Sequence, residues 1–100
     1  MARVRWLTAA LDDLDAICAY IAHDSPANGA LTAQALETAA DALATFPLSG
    51  MPLPEDRGSG LRQRLCGRHR IIYRVVSDEV QILKIHHQRQ LFDHDSAQDH

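Results

Sequence analysis

The chain opens with a short alternation of apolar and polar positions that changes into a helical repeat. Over residues 3–7, Val4 and Trp6 alternate with arginines, and this period of two predicts a strand. Thr8 is the expected N-cap of a helix that extends to about His23. This helix should bury a stripe of apolar residues at helical spacing: Leu11, Leu14, Ile17, Cys18 and Ile21.

A second helical segment follows a break at residues 24–26, where Pro26 suits the first turn of a new helix. The segment runs from about Ala27 to Thr45, is rich in alanine, and ends before Pro47. Because the break between the two helices is so short, an antiparallel hairpin is predicted. The buried stripe of this helix is expected to consist of Leu31, Ala35, Leu36, Ala39, Leu43 and Phe46.

The second half of the chain has strand-like patterning, which begins after a proline- and glycine-rich loop at residues 47–60. Turns are predicted at residues 67–68 and 77–78. These turns separate three predicted strands, at residues 61–66, 69–76 and 79–87.

The order of strand, helix, helix, strand, strand, strand predicts an α+β fold, with an antiparallel-rich sheet packed on one face by the N-terminal helical hairpin. Residues 1–92 form a single domain in this interpretation, and the polar residues 93–100 form a flexible tail. The middle strand has apolar residues on both faces, as a central strand does. We expect Ile71, Tyr73 and Val75 on one face and Arg70, Ile72, Arg74 and Val76 on the other.

Charge is segregated along the chain, although the net charge is only −3. Residues 1–56 carry two arginines against eight acidic residues, giving −6, whereas residues 57–92 carry eight basic residues against two acidic ones, giving +6. The last eight residues add three aspartates. Such segregation creates a local field that makes a nucleic-acid or acidic-protein partner possible.

Arginines are concentrated in the predicted strands, where a guanidinium must stay solvated or find an anionic partner. One interpretation is structural: the arginines are solvated or form ion pairs with acidic residues of the preceding loop. The other is functional: Arg62, Arg70 and Arg89 contact phosphate or carboxylate groups of a partner. Five arginines fall within thirteen positions: Arg62, Arg64, Arg68, Arg70 and Arg74.

His86 and His87 are candidates for proton transfer, because imidazole titrates near neutral pH. Adjacent residues of a strand point to opposite faces, so these two cannot both ligate one metal ion without distortion. Either could act as base or acid in RNA cleavage, or be a strand-end residue with no chemical role. No cofactor and no metal site are expected, because phosphate-binding glycine loops, metal-type cysteine pairs and nucleophile elbows are absent.

Several other residues are given structural explanations. Asp12 and Asp13 lie near the start of the first helix, where acidic groups suit the helix dipole. Tyr73 is expected in the core, and Cys18 and Cys66 are expected to be free thiols because two cysteines do not form a disulfide framework. No apolar run approaches transmembrane length, so a cytoplasmic protein without a membrane partner is expected.

Four segments in a fixed order carry a family pattern from about residue 4 to residue 92. They are V-R-W-L-T-A-A-L-D-D-L-D-A-I-C-A-Y-I-A at the start, L-A-T-F-P-L-S-G-M-P after the second helix, G-L-R before the arginine-rich strands, and R-H-R-I-I-Y-R-V followed by V-Q-I-L-K-I-H-H-Q-R. Taken together, they resemble the RelE/ParE superfamily of type II toxins. The D-L-x-x-I-x-x-Y-I-A helix, the F-P-x-x-G loop and the I-x-H-x-R ending look closer to the ParE branch.

The resemblance implies a small toxin that arrests growth unless a cognate antitoxin, encoded beside it, neutralises it. In such pairs the C-terminal segment of the antitoxin wraps the toxin, and operator DNA is contacted only indirectly, through the antitoxin. The ParE branch implies inhibition of DNA gyrase by trapping its cleaved DNA complex, with no bond hydrolysed by the toxin itself.

Two other functions stay open. In a ribosome-dependent mRNA endonuclease, Arg62, Arg70 and Arg89 would stabilise charge at the scissile phosphate and His87 would be the acid–base group, although no tyrosine follows Tyr73 to match the nuclease pattern. A non-toxic interaction module of the same fold is the third possibility. The residues expected to bind the target or the antitoxin are Arg62, Arg64, Arg70, Arg74, His86, His87 and Arg89.

Overall fold

The computed structural model of the protein describes residues 1–92, and the tail predicted for residues 93–100 lies outside them. Two helices and five strands follow one another, with a short 3₁₀ helix, Ala42–Ala44, after the second helix. The elements are β1 (Arg3–Trp6), α1 (Thr8–Asp24), α2 (Pro26–Asp41), β2 (Met51–Pro52), β3 (Arg62–Cys66), β4 (His69–Val76) and β5 (Glu79–His87).

The strands form one sheet in the order β1-β5-β4-β3-β2, in which β1 runs parallel to β5 and every other pair is antiparallel. The predicted α+β architecture is confirmed. The prediction of an uninterrupted loop at residues 47–60 was wrong at one point, because Met51 and Pro52 pair with Gln63 and Arg62 as a two-residue edge strand. So short a strand has no periodicity of its own and exists only because β3 supplies its partner.

The larger hydrophobic core lies between the helical hairpin and one face of the sheet. The sheet contributes Ile71, Tyr73, Val80, Ile82 and Ile85, all of them buried. The predicted core position of Tyr73 is confirmed, since this residue is fully buried. The helices contribute Ala10, Leu14, Leu36, Ala39 and Ala40, and the 3₁₀ helix adds Leu43.

A β-bulge in β5 sets which residues reach this core. Val80 and Ile82 obey the two-residue period of a strand, whereas Ile85 comes three positions after Ile82 and still faces the helices. The register between β4 and β5 shifts at Tyr73, so one extra residue of β5 is inserted there. Leu83 lies on the opposite face, as alternation after Ile82 requires, and the extra residue returns Ile85 to the core.

That opposite face carries a second, smaller apolar cluster, against which Phe92 packs. The sequence predicted a helical layer on one face of the sheet only, but the central part of the other face is covered as well. The loop after β2 and the segment after β5 fold across it because each supplies an apolar side chain to the cluster. Its buried members are Leu7, Leu53, Leu61, Ile72 and Leu83.

Four residues of the predicted helical stripes lie on the surface instead, Ala35 among them. Leu11 is 45% exposed, Leu31 61% and Phe46 67%. Each helix buries a narrower strip than its full apolar stripe, because small alanines let the elements approach closely. Phe46 comes after the end of the 3₁₀ helix, so helical spacing no longer directs it to the core.

Close packing between the two helices depends on Gly29, at which a Cβ atom would collide with the Cys18 carbonyl oxygen and with Ala22. Ser25 separates the helices and caps α2, since its hydroxyl accepts a hydrogen bond from the Asn28 N–H at 3.2 Å. At the start of α1, the predicted N-cap was wrong by one residue. Leu7 holds that position, with extended backbone angles and no side-chain cap.

Asp13 also departs from its predicted role at the helix dipole. Its carboxylate accepts a hydrogen bond from the Ile85 N–H at 3.0 Å and pairs with the Lys84 ammonium at 3.0 Å. The Ile85 N–H needs this partner because β1 pairs with β5 only as far as Ile82. Asp13 therefore closes part of the β5 edge from the side of the helix.

The loop between α2 and β2 is held against the sheet by the Tyr73 hydroxyl. The hydroxyl donates to the Pro47 carbonyl at 2.8 Å and accepts from the Gly50 N–H at 2.9 Å. A side chain at Gly50 would collide with this hydroxyl, so the close approach requires glycine. Arg62 adds a third anchor, because its Nη1 donates to the Gly50 carbonyl at 2.7 Å.

We expect Tyr73→Phe to lower the free energy of unfolding by about 1–3 kcal/mol, because the Gly50 N–H and the Pro47 carbonyl lose a partner inside the protein. Urea denaturation followed by circular dichroism measures the change. Tyr20→Phe is the matched control: Tyr20 is 83% exposed, so a change below about 0.5 kcal/mol is expected there. Equal effects in the two variants would contradict the anchoring role of the Tyr73 hydroxyl.

Candidate functional site

The sheet divides the predicted site residues between its two faces. In β3, Arg62 and Arg64 stand opposite Tyr73 and Ile71, which belong to the helix-side core. His87 is on the same side, beside α1. The opposite face carries Arg70, Arg74 and His86. The predicted separation of His86 from His87 is confirmed, and the nuclease set of Arg62, Arg70, Arg89 and His87 does not share one face.

Arg70 lies at the centre of a hydrogen-bond network on the opposite face, and its side chain is only 6% exposed. The guanidinium donates to both carboxylate oxygens of Glu55, to Gln63 Oε1 at 2.9 Å, and to the Gln90 carbonyl. This arrangement matches the structural interpretation of the arginines, an ion pair with an acidic residue of the loop. A partner's phosphate or carboxylate would have to displace Glu55 to reach Arg70.

Glu55 is the residue that sequence analysis missed, because nothing local to a loop carboxylate indicates which strand it will meet. The hydrogen bond from Arg70 is the main cause that lowers the pKa of Glu55, which is about 2. The hydrogen bond that Glu55 accepts from the Phe92 N–H at 2.9 Å lowers it further. The carboxylate is therefore charged throughout the physiological range. It joins β4 to the segment that follows β5.

His86 is buried beside this network, with 2% of its surface exposed. Within residues 1–92, neither ring nitrogen has a hydrogen-bond partner, and the ring of Phe92 lies 6.1 Å away between centroids. Burial lowers the pKa of His86, so the imidazole is neutral at pH 7. A neutral, covered ring is badly placed to contact a target.

Arg74 has its own partners near the far end of the same face. Its Nε donates to Gln81 Oε1 at 2.7 Å, and the Gln81 amide donates in turn to Glu79 Oε1 at 2.7 Å. The same carboxylate oxygen accepts from Arg5 Nε at 3.0 Å. These contacts link Arg74, through Gln81, to the Glu79 carboxylate across β4, β5 and β1.

On the helix side, Arg62 and Arg64 differ in how fully they are bonded. Arg62 donates to the carbonyl oxygens of Leu48, at 3.3 Å, and Gly50, so it stabilises the loop described above. The Nε of Arg64 is buried and has no hydrogen-bond partner among residues 1–92. Arg64 is therefore the less satisfied of the two guanidinium groups.

One end of the sheet collects cationic side chains beside an apolar groove. His69 and His87 are directly paired across β4 and β5, and their ring centroids lie 6.1 Å apart. The pKa of His69 is lowered mainly by burial, and also by the proximity of His87. A groove of about 410 Å³ runs from these histidines to α1. It is lined by Ala16, Ile17, Tyr20, Ile21, Arg68, His69 and His87.

A second concavity of about 500 Å³ opens at the same end of the sheet. It shares Arg68 and His87 with the groove and adds Gly67, Gln88 and Arg89. Arg68 was counted among the clustered arginines but was not among the predicted site residues. Its proximity to Arg89 follows from the pairing of β4 with β5, which a strand pattern alone does not give.

Across residues 1–92, no three His, Cys, Asp or Glu side chains converge in a way that could hold a metal ion. In the same part of the chain, no helix is both long and apolar enough to cross a membrane.

We expect Glu55→Gln to lower the free energy of unfolding at pH 7 by about 2 kcal/mol, because the buried Arg70 guanidinium loses its counter-charge. The folded pKa of Glu55 is lowered to about 2 from 4.5, so the stabilisation is present above pH 4.5 and is lost as the pH falls toward 2. Urea denaturation at a series of pH values should show the variant and the wild type converging over that interval.

Glu37→Gln is the control for this experiment, since it removes an exposed carboxylate of α2 and should leave the stability nearly unchanged. A difference between Glu55→Gln and the wild type that stays constant down to pH 2 would show that the charge of Glu55 does not stabilise the fold.

The sequence matches a family described as the ParE toxin of the type II toxin-antitoxin system parDE, over residues 4–92. The candidate toxin Y4kP of Sinorhizobium fredii is 39% identical over 90 residues, which are 88% of this chain and 90% of that protein. These matches include the helical hairpin, the arginine-rich strands and the cationic end of the sheet.

Two solved structures are also similar. A chain of the chromosomal ParDE toxin-antitoxin system from P. aeruginosa superposes with a TM-score of 0.73 at 25% identity, covering 87% of this chain and 96% of that one. A chain of the toxin-antitoxin complex RelBE2 from Mycobacterium tuberculosis has a TM-score of 0.63 at 27% identity, covering 87% and 98%. Sequence and fold agree over nearly the whole chain, which thus belongs to the ParE toxin family of type II toxin-antitoxin systems, within the RelE/ParE superfamily.

Proposed function

We propose that the chain is a cytoplasmic toxin that inhibits DNA gyrase by binding, and that a cognate antitoxin neutralises it. The observation that supports binding over catalysis is the dispersal of the nuclease set. Arg62 is bonded to loop carbonyls on the helix side, whereas Arg70 is paired with Glu55 on the opposite face. Charge stabilisation at one scissile phosphate requires convergent cations, and these two guanidinium groups do not converge.

The groove beside α1 is the surface that best suits an antitoxin segment. Its floor is apolar, with Ile17 and Ile21 half-buried, and Tyr20 stands at its side with 83% of its surface exposed. Arg68, His69 and His87 form a basic rim. An amphipathic segment with apolar anchors and acidic flanks would complement both parts.

Gyrase inhibition predicts cleaved plasmid in the presence of gyrase and the purified full chain. The reaction is run with and without ATP, and both supercoiling and linear DNA are scored on gels. We expect linear DNA to accumulate only when gyrase is present and to disappear when the antitoxin is added. The same chain incubated with plasmid alone is the control and should leave the plasmid intact.

Loss of growth without any effect on gyrase would contradict this proposal. The ribosome is then the target to test, through cleavage of mRNA on translating ribosomes. Cleavage that is abolished by His87→Ala, with ribosome binding retained, would establish the nuclease alternative. A chain that neither arrests growth nor cleaves would instead be a non-toxic interaction module.

For the antitoxin groove, we expect Tyr20→Ser to weaken antitoxin binding about tenfold or more, because exposed aromatic anchors commonly carry a large share of interface energy. Isothermal titration calorimetry with the purified antitoxin measures the change. Leu31→Ser is the matched control, since Leu31 is 61% exposed on α2 and does not line the groove. If both variants bind as the wild type does, the antitoxin does not use this groove.

A further inference from the structure

The concavity at the end of the sheet is built from the turns that flank β4 and β5. Because His69 pairs with His87, Arg68 stands across from Gln88, and the Gln88 N–H donates to the Arg68 carbonyl at 2.9 Å. The Gln88 side chain also donates to the Gly67 carbonyl at 2.7 Å, which fixes the two turns to each other. Arg68 and Arg89 are thereby held on neighbouring strand ends, whose backbones lie about 5 Å apart.

Both guanidinium groups are exposed, and within residues 1–92 neither makes a hydrogen bond or an ion pair. His87 adds a third polar group, and its Nδ1 accepts the Arg89 N–H at 3.2 Å. Because Nδ1 is occupied as an acceptor, Nε2 is the ring nitrogen of His87 that can donate to an anion. No carboxylate is among the residues that line the concavity in the described part of the chain.

The lining of this concavity favours phosphodiester groups over a protein segment. Gly67, Arg68, His87, Gln88 and Arg89 supply cations, amide groups and backbone but no apolar side chain. A protein partner normally needs a buried apolar anchor, which the neighbouring groove offers and this concavity lacks. Paired guanidinium groups match the oxygen geometry of phosphate and supply the electrostatic contacts by which proteins hold a nucleic-acid backbone.

We infer that the concavity lined by Arg68, His87 and Arg89 binds the phosphodiester backbone of duplex DNA. The cellular role of this site rests on the proposed inhibition of gyrase, because a toxin bound to gyrase would also contact the DNA that gyrase holds. Arg68 and His87 line the antitoxin groove as well. A protein segment in that groove therefore competes with DNA for the same two side chains.

The test measures binding of the purified full chain to a fluorescent duplex of mixed sequence, by anisotropy, without gyrase. We expect binding that weakens as KCl is raised, with a slope of log K against log salt of about −2, as two phosphate contacts give. The double variant Arg68→Ala with Arg89→Ala should lose about tenfold or more in affinity at low salt. The charge-matched control carries Arg3→Ala together with Arg57→Ala, because both arginines are exposed outside the concavity, and it should bind within about twofold of the wild type.

An equal loss in the double variant and in this charge-matched control would overturn the inference, since binding would then follow net charge alone. Absence of binding at low salt would overturn it as well. Tighter binding of a polyglutamate peptide than of the duplex, if that binding is lost in the same double variant, would assign the site to an acidic protein instead. Circular dichroism spectra of the variants establish that they are folded.

The gyrase assay separates this inference from the proposed function. If DNA binding shows the expected variant effects but gyrase is unaffected, the DNA site is supported and the gyrase proposal fails. Cleaved plasmid that accumulates equally with the wild type and the double variant would overturn a role for DNA contact while gyrase inhibition stands.

Discussion

The buried guanidinium of Arg70 constrains this fold more than any other polar group on the sheet. A charge on a strand is costly to bury unless its donors find acceptors, and Glu55, Gln63 and the Gln90 carbonyl accept from the two terminal nitrogens of Arg70, whereas its Nε has no partner among residues 1–92. The ion pair draws the loop after β2 across the sheet, and the contacts to Gln90 and Phe92 hold the segment after β5 over the same face. The second apolar cluster is covered because these two segments are fixed there. The pairing also occupies one of the three arginines that were predicted from the sequence to contact phosphate.

The two faces of the sheet have different uses as a result. One is filled by the helical hairpin and the other by segments fastened to Arg70, so little of either face is open at the centre. Exposed charge and exposed apolar surface instead meet at one end of the sheet, where the turns around Arg68 and Arg89 adjoin α1. The surface that we propose for binding is therefore concentrated at a strand end, where the backbone is held by β4 and β5 while the side chains reach outward.

Local patterns were enough to predict the helices, three of the five strands as a hairpin series, and the faces of β4, because periodicity is a property of neighbouring residues. They failed where a distant partner decides the outcome. The bulge that brings Ile85 to the core, the contact of Asp13 with β5, and the pairing of Glu55 with Arg70 all join residues far apart in sequence. For the proposed site, Arg89 and His87 were among the predicted residues and Arg68 was not, since only the register of β4 with β5 brings these side chains together. Arg70 and His86 were predicted to meet a partner, and their burial could not be deduced from alternation alone.

The two edges of the sheet differ in their openness to other strands. At one edge, β5 extends beyond its pairing with β1, and there the Asp13 carboxylate accepts the Ile85 N–H to which another strand could otherwise pair. On the other side, β2 has two residues, one of them Pro52, which has no N–H, and the rest of β3 has no strand beside it in the described part of the chain. Leu65 lies on that stretch with 49% of its surface exposed. Self-association of the isolated chain should accordingly begin at β3, so charged substitutions there are the natural means of keeping concentrated protein in solution.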